Sequence, residues 1–154
     1  MKKRTTGELL CRDFFELSDS DKTKIEEAKD EAVLISNMIF SLIDKKFEDT
    51  TELERQVLAA FCFGMINAII FRKELNPLQG HSIASTLLTK VFHYSEEQAE
   101  DFTQELINST DESYHPVMFS IIRRGLNGYQ QYVSNEKKQL QANVLEVLAI
   151  VNES

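Results

Sequence analysis

The feature that most constrains this chain is an apolar run of fifteen residues, 57–71, near the middle of its 154 residues. Thr51 and Glu54 precede the run with the spacing of a capping box, so a helix is expected to begin there. Beyond position 57 this helix is apolar nearly all round, which is typical of a helix enclosed by others. The run therefore predicts an all-α bundle built around residues 57–71, with Gly64 allowing a neighbouring helix to approach closely.

Five further segments have helical periodicity, which gives a single domain of about six helices. The chain has only five glycines and two prolines, and no segment shows convincing strand alternation. Gly125 and Gly128 are expected to weaken the end of the fifth helix. The predicted ranges are about 21–47, 51–75, 77–94, 96–108, a fifth helix from Pro116, and 135–151. The first helix should bury Ile25, Ala28, Ala32, Ile35, Ile39 and Leu42, with Leu34, Met38 and Ile43 widening this stripe.

The domain is predicted to span residues 18–154, because the patterning is weak before position 18. Residues 1–17 are expected to form either a loose N-terminal arm or a short docking helix. The apolar side chains that such a helix would use are Leu9, Leu10, Phe14, Phe15 and Leu17.

Charge and composition disfavour several functional classes. The net charge is −8, whereas nucleic-acid binding needs a basic surface. The apolar run is shorter than the roughly 20 residues that cross a bilayer, and the first residues lack the apolar stretch of a signal peptide. The chain has two cysteines, so no disulfide framework is expected, and Cys62 should be a buried apolar side chain. We therefore expect a cytoplasmic protein that binds neither nucleic acid nor membrane.

No motif points to catalysis, a metal or a cofactor. None of the three histidines has a second ligand at helical spacing, and there is no nucleophile motif or glycine-rich phosphate loop. His93 and His115, each at a helix boundary, are the one pair that could meet in space. Arg123 and Arg124 are expected to cap carbonyls near a helix C-terminus, with anion binding as the alternative. The sequence thus predicts a protein that is not an enzyme and needs no cofactor.

The acidic residues are concentrated in one segment. Between positions 95 and 112 there are seven acids and no base, which accounts for −7 of the net −8. Mixed signs would stabilise a solvated helix better through i, i+4 pairs, so this bias fits a surface for a basic protein partner as well as a generic acidic surface. The candidate partner-binding residues are Glu96, Glu97, Glu100, Asp101, Glu105, Asp111 and Glu112.

Three stretches resemble a known family. They are residues 54–65, residues 91–99 around His93-Tyr94-Ser95, and Tyr114-His115-Pro116 followed by residues 121–125. Across about residues 30–133 the chain is similar to the immunity protein 48 family of bacterial polymorphic toxin systems. The resemblance implies an α-helical protein, encoded beside a toxin, that binds and blocks that toxin. It implies no particular binding residues, and His93, Tyr94, His115 and Pro116 could serve helix junctions instead of contacts.

Three hypotheses follow for function. The leading one is an immunity protein that neutralises a cognate toxin domain by stoichiometric occlusion, with acidic side chains meeting a basic surface. The alternative is a helical ligand-binding or regulatory module, possibly a homodimer, and a small helical enzyme is third. The sequence leaves the oligomeric state open, and it identifies neither the toxin nor the surface that binds it.

Overall fold

A computed structural model describes residues 19–152, so the predicted N-terminal arm or docking helix, residues 1–17, lies outside the described residues. The described part contains six α-helices and a one-turn 3-10 helix at Phe47–Asp49, with no strand. This confirms the all-α prediction. The helices are α1 (Asp19–Leu42), α2 (Glu52–Lys73), α3 (Pro77–Lys90), α4 (Glu96–Asn108), α5 (Pro116–Val133) and α6 (Lys137–Asn152).

Helix α2 is the centre of the bundle, as the apolar run predicts. It packs against α1, α3, α5 and α6, and residues 57–66 are buried without interruption. The prediction is wrong at the end of the run, because Phe71 is 87 % exposed. Among the described helices, α2 alone is long and apolar enough to cross a membrane, yet 67 % of its apolar window is buried inside the structure. Burial to this extent is typical of the core helix of a soluble protein.

Helices α2 and α5 run parallel and make the closest contact in the bundle. Leu53 and Val117 lie at their N-terminal ends, and Phe71 and Val133 lie at their C-terminal ends. Between these ends, Gly125 is buried against α2, and the helix continues through it to Val133. The helix is therefore not ended by Gly125 or Gly128. They are packing glycines, and Gly128 faces the ring of Phe61.

Three helix starts are fixed by local hydrogen bonds that their sequences predict. Thr51 and Glu54 form a full capping box at α2, and Ser95 and Gln98 form another at α4. Asn76 caps α3, with Pro77 in the first turn and a reciprocal bond from Gln79. Because these caps satisfy otherwise unpaired amides, they set where each helix begins.

Helix α1 departs from prediction at its end and on one side. It stops at Leu42, five residues early, because Asp44 adopts a left-handed backbone (φ 51°) that ends the helix. Leu34, expected in the buried stripe, is 63 % exposed. The helix runs antiparallel to α2, as shown by ion pairs Lys73–Glu27 (3.4 Å) at one end and Lys45–Glu54 (2.6 Å) at the other.

Candidate partner-binding surface

Helix α4 carries the acidic segment on its outer faces. Its inner side, Ala99, Thr103 and Leu106, is buried, and the helix packs on α3. The apolar spacing of this helix predicts Phe102 on that inner side, with Ile107 as a further candidate, but Phe102 is half-buried and Ile107 is 40 % exposed. The seven predicted partner-binding residues are all exposed, five on the helix and two in the turn that follows: Glu96, Glu97, Glu100, Asp101, Glu105, Asp111 and Glu112.

A groove of about 540 Å³ lies between α4 and the N-terminal ends of α2 and α5, and we refer to it as the α4 groove. Its rim holds three carboxylates, those of Glu52, Asp101 and Glu105. No lysine or arginine is among the described residues that line it. The groove thus combines an apolar floor with an acidic rim. The floor consists of Leu53, Val57, Phe102, Met118 and Ile121.

The α4 groove divides the seven predicted residues into two sets. Asp101 and Glu105 line it, whereas the other five are exposed elsewhere on α4 or in the turn. The structure therefore does not gather the seven acids into one site. It adds Glu52 from α2, which sequence reasoning missed because a residue in the first turn of a helix looks like an ordinary dipole-stabilising acid.

Two tyrosines hold carboxylates of this surface in place. The Tyr94 hydroxyl donates to Glu52 at 2.9 Å, and its ring packs edge-on against Phe102 with centroids 5.6 Å apart. Burial, together with the nearby Glu52 carboxylate, raises the pKa of Tyr94, so the hydroxyl stays a donor. The Tyr114 hydroxyl lies 2.9 Å from both carboxylate oxygens of Glu105. The positions of these two carboxylates are thus set before any partner arrives.

The two histidines in the stretches that resemble the family, His93 and His115, occupy helix junctions. His115 is the N-cap of α5, where its Nδ1 accepts from the Met118 amide at 3.2 Å, and Pro116 occupies the first turn. His93 has a left-handed backbone (φ 58°) just after α3 and packs edge-on against Phe47, 4.6 Å between centroids. Both histidines therefore have structural partners, and His115 also lines the α4 groove.

Arg123 and Arg124 lie in the middle of α5, not near a helix C-terminus as expected. Arg124 forms an ion pair with Glu146 of α6, and the Arg123 guanidinium lies 5.8 Å from the Phe119 ring centroid. The expectation that this pair caps the end of the helix is wrong, because α5 extends nine residues beyond Arg124.

Hydrogen bonds order the turn after α4. Asp111 accepts from both the amide and the hydroxyl of Ser113, at 2.9 and 2.8 Å. These bonds lower the pKa of Asp111, because they favour the charged carboxylate. The turn connects α4 to the N-terminus of α5, and the residues on either side of it, Ser109 and His115, line the groove. Across residues 19–152, no group of three His, Cys, Asp or Glu side chains could hold a metal ion.

The family described as Immunity protein 48 matches the chain over residues 28–152. The chain belongs to the immunity protein 48 family. This confirms the resemblance and extends it to the end of α6. No curated protein and no solved structure matches the chain.

In this immunity protein, the family match covers the whole α4 groove and all seven acidic residues. Two stretches that carry the resemblance, around Tyr94 and around His115, lie far apart in sequence but line the same groove. Their convergence depends on how α3, α4 and α5 pack, so no local pattern in the sequence could have predicted it.

Proposed function

We propose that this protein binds and neutralises a cognate bacterial toxin in the cytoplasm, as a stoichiometric inhibitor that covers the toxin's active cleft. The observation that carries the proposal is the acidic rim of the α4 groove in a chain that belongs to an immunity protein family. The toxin surface would be basic and partly apolar, in keeping with the groove.

The electrostatics support a basic partner. A toxin that acts on nucleic acids or nucleotides needs cationic side chains around its cleft to hold phosphates. Glu52, Asp101 and Glu105 oppose that charge along one groove, and Glu97 and Glu100 extend the negative surface on the same helix. Complementary charge speeds encounter and excludes wrong partners, which an inhibitor of a lethal enzyme requires.

The rigidity of the groove supports inhibition by occlusion. The rim carboxylates of Glu52 and Glu105 are held by tyrosine hydroxyls, and the α4 start is fixed by the Ser95 capping box. A preformed surface loses little conformational entropy on binding, so more of the contact energy appears as affinity. In this mechanism the protein performs no chemistry and is consumed one molecule per toxin.

The test is co-expression with the toxin domain encoded beside this gene. We expect restored growth of the host and a 1:1 complex on co-purification. A catalytically inactive toxin variant controls for toxicity and should still co-purify. Growth arrest despite soluble immunity protein, with no complex recovered, would contradict the proposal.

The ligand-binding alternative has one observation in its favour. The volume of the α4 groove, about 540 Å³, suits a small molecule, and the floor is apolar with a few polar groups above it. Native mass spectrometry of protein purified from its own host would detect a small molecule bound in the groove. A stoichiometric small molecule that is lost on Leu53→Trp, which narrows the groove from a half-exposed position, would favour that alternative.

A further inference from the structure

A second exposed apolar surface lies at the opposite ends of α2 and α5. It consists of Phe71 (87 % exposed), Val133 (52 %) and Leu126 (38 %), and we refer to it as the Phe71 patch. These three side chains border a shallow basin of about 900 Å³. An exposed phenylalanine next to two exposed aliphatic side chains marks a surface that something covers.

The beginning of α1 lies at the same end of the molecule as this patch. Glu31 of α1 accepts from the Tyr129 hydroxyl at 2.8 Å, and Arg72 contacts both residues. Arg72 and Tyr129 line the basin, so this cluster joins α1 to its edge. Because α1 runs antiparallel to α2, its first residue, Asp19, lies beyond this cluster, and residues 1–18 attach to the domain there.

The tether is long enough to reach the patch. Glu27 pairs with Lys73 (3.4 Å), two residues from Phe71. From Glu27 back to Asp19 is about 12 Å along the helix. Phe14 is five residue steps from Asp19, with four residues between them, and an extended chain of that length spans up to about 17 Å. Phe14 can therefore return to the level of Phe71.

Residues 8–14, outside the described residues, include apolar and acidic side chains that are complementary to the patch. Leu10 and Phe14 are four residues apart, which is the spacing of neighbours on one helix face, and both precede the stretch 15–18 that serves as the tether. The residues lining the basin include Arg72, whose side chain is 56 % exposed, and no carboxylate. Residues 8–14 carry two acids, Glu8 and Asp13, and one base, Arg12, so their net charge of −1 suits that cation.

We infer that residues 9–14 dock on the Phe71 patch and complete the apolar core at this end of the bundle. The competing occupants are a second copy of this chain and the toxin. The inference does not depend on the proposed function, because it concerns the chain alone.

The native cysteines make the inference directly testable. Cys11 lies within the segment, and the other cysteine, Cys62, is buried, which raises its pKa to about 12 and keeps it unreactive. Gln130→Cys places a thiol at the edge of the basin. We expect a disulfide with Cys11 within one chain under mild oxidation, detected by peptide mapping of dilute protein. Leu53→Cys, at a 49 % exposed position in the first turn of α2 and about 27 Å along that helix from Phe71, is the matched control and should react at least about tenfold more slowly, as effective concentration requires.

A second variant tests the patch itself. Phe71→Asp added to Gln130→Cys should reduce the rate to that of the control, while the circular dichroism spectrum stays unchanged because Phe71 is exposed. Equal rates for Gln130→Cys and Leu53→Cys, or no disulfide in either, would overturn the inference. A disulfide between two chains would overturn it in favour of a second copy. An intramolecular disulfide that persists with Phe71→Asp would show that the patch is not the docking surface.

Discussion

Gly64 of α2 and Gly125 of α5 lie against each other, with each Cα only 3.0 Å from the place where a Cβ on the other would sit. A Cβ at Gly64 would overlap the Ile122 carbonyl oxygen, and one at Gly125 would overlap that of Phe61. Backbone cannot move aside as a side chain can, so both positions require glycine for the helices to pack at this distance. This contact holds together the two helices that bear the α4 groove and the Phe71 patch.

Gly64→Ala should destabilise the protein despite the higher helix propensity of alanine. The propensity gain is about 0.5–1 kcal/mol, whereas separating two packed helices costs about 1–3 kcal/mol or more. We expect the free energy of unfolding to fall by about 2 kcal/mol in urea titration. Gly125→Ala should behave alike, and the double variant should lose less than the sum because one separation serves both.

Gly80→Ala is the matched control for this contact. It lies in α3, and its Cβ would meet only the Cδ1 end of the Ile70 side chain, which can rotate. The loss should be clearly smaller than for Gly64→Ala. A similar loss at both sites would mean that the contact between α2 and α5 is looser than described.

The sequence predicts helix starts better than helix ends here, for a physical reason. Starts at Thr51, Asn76 and Ser95 depend on side chains that hydrogen-bond within four residues, so the signal is local. Ends are formed by Asp44 and His93 in left-handed backbone, without the glycine that usually marks a C-terminus. The periodicity therefore overshoots at α1 and α3.

Two leucines, one buried and one exposed, test how well the apolar pattern predicts the core. Leu58 on α2 is fully buried, whereas Leu34, which the pattern placed in the core, is 63 % exposed. Leu58→Ala should lower the free energy of unfolding by about 2–5 kcal/mol, and Leu34→Ala should change it by less than about 0.5 kcal/mol. Chemical denaturation of both variants checks this. Comparable losses of stability would mean that Leu34 is buried, in contradiction to the structure.

Glu54 should make stability depend on pH in the acid range. Its side chain is 4 % exposed, and the hydrogen bonds from Lys45 and the Thr51 amide lower its pKa from 4.5 to about 2. A lowered folded-state pKa contributes stability that is complete above the unfolded value and disappears as pH falls from about 4.5 to 2. The shift corresponds to about 3 kcal/mol at most.

Glu54→Gln removes the charge and keeps an oxygen that can accept from the Thr51 amide. We expect its free energy of unfolding to fall by about 2 kcal/mol at pH 7, with the difference from wild type shrinking toward pH 2. Glu26→Gln, whose side chain is 70 % exposed in a 3.7 Å pair with Lys29, is the control and should show almost no pH-dependent difference. A constant difference between wild type and Glu54→Gln from pH 7 to 2 would contradict the pKa assignment.

The sequence alone does not predict which acidic residues share the α4 groove. The acidic bias of residues 95–112 is visible in the sequence, but which acids share a surface depends on how α4 is rotated against α2 and α5. The structure directs Asp101 and Glu105 toward an apolar floor and leaves Glu97 and Glu100 outside it. By charge alone the two pairs are equivalent, but in the structure only Asp101 and Glu105 line the groove.

That difference should appear in the kinetics of binding to the toxin. Asp101→Asn with Glu105→Gln, and Glu97→Gln with Glu100→Gln, each remove two charges from one helix. Both pairs should slow association at low salt, and this loss should shrink as ionic strength rises, because exposed charges are screened. Only the groove pair should also speed dissociation, since a desolvated charge pair costs about 2–5 kcal/mol when one partner is truncated. Surface plasmon resonance at two salt concentrations separates the two effects. Equal dissociation rates for both double variants would place the contact outside the groove, and unchanged association in both would make the acidic segment ordinary solvated surface.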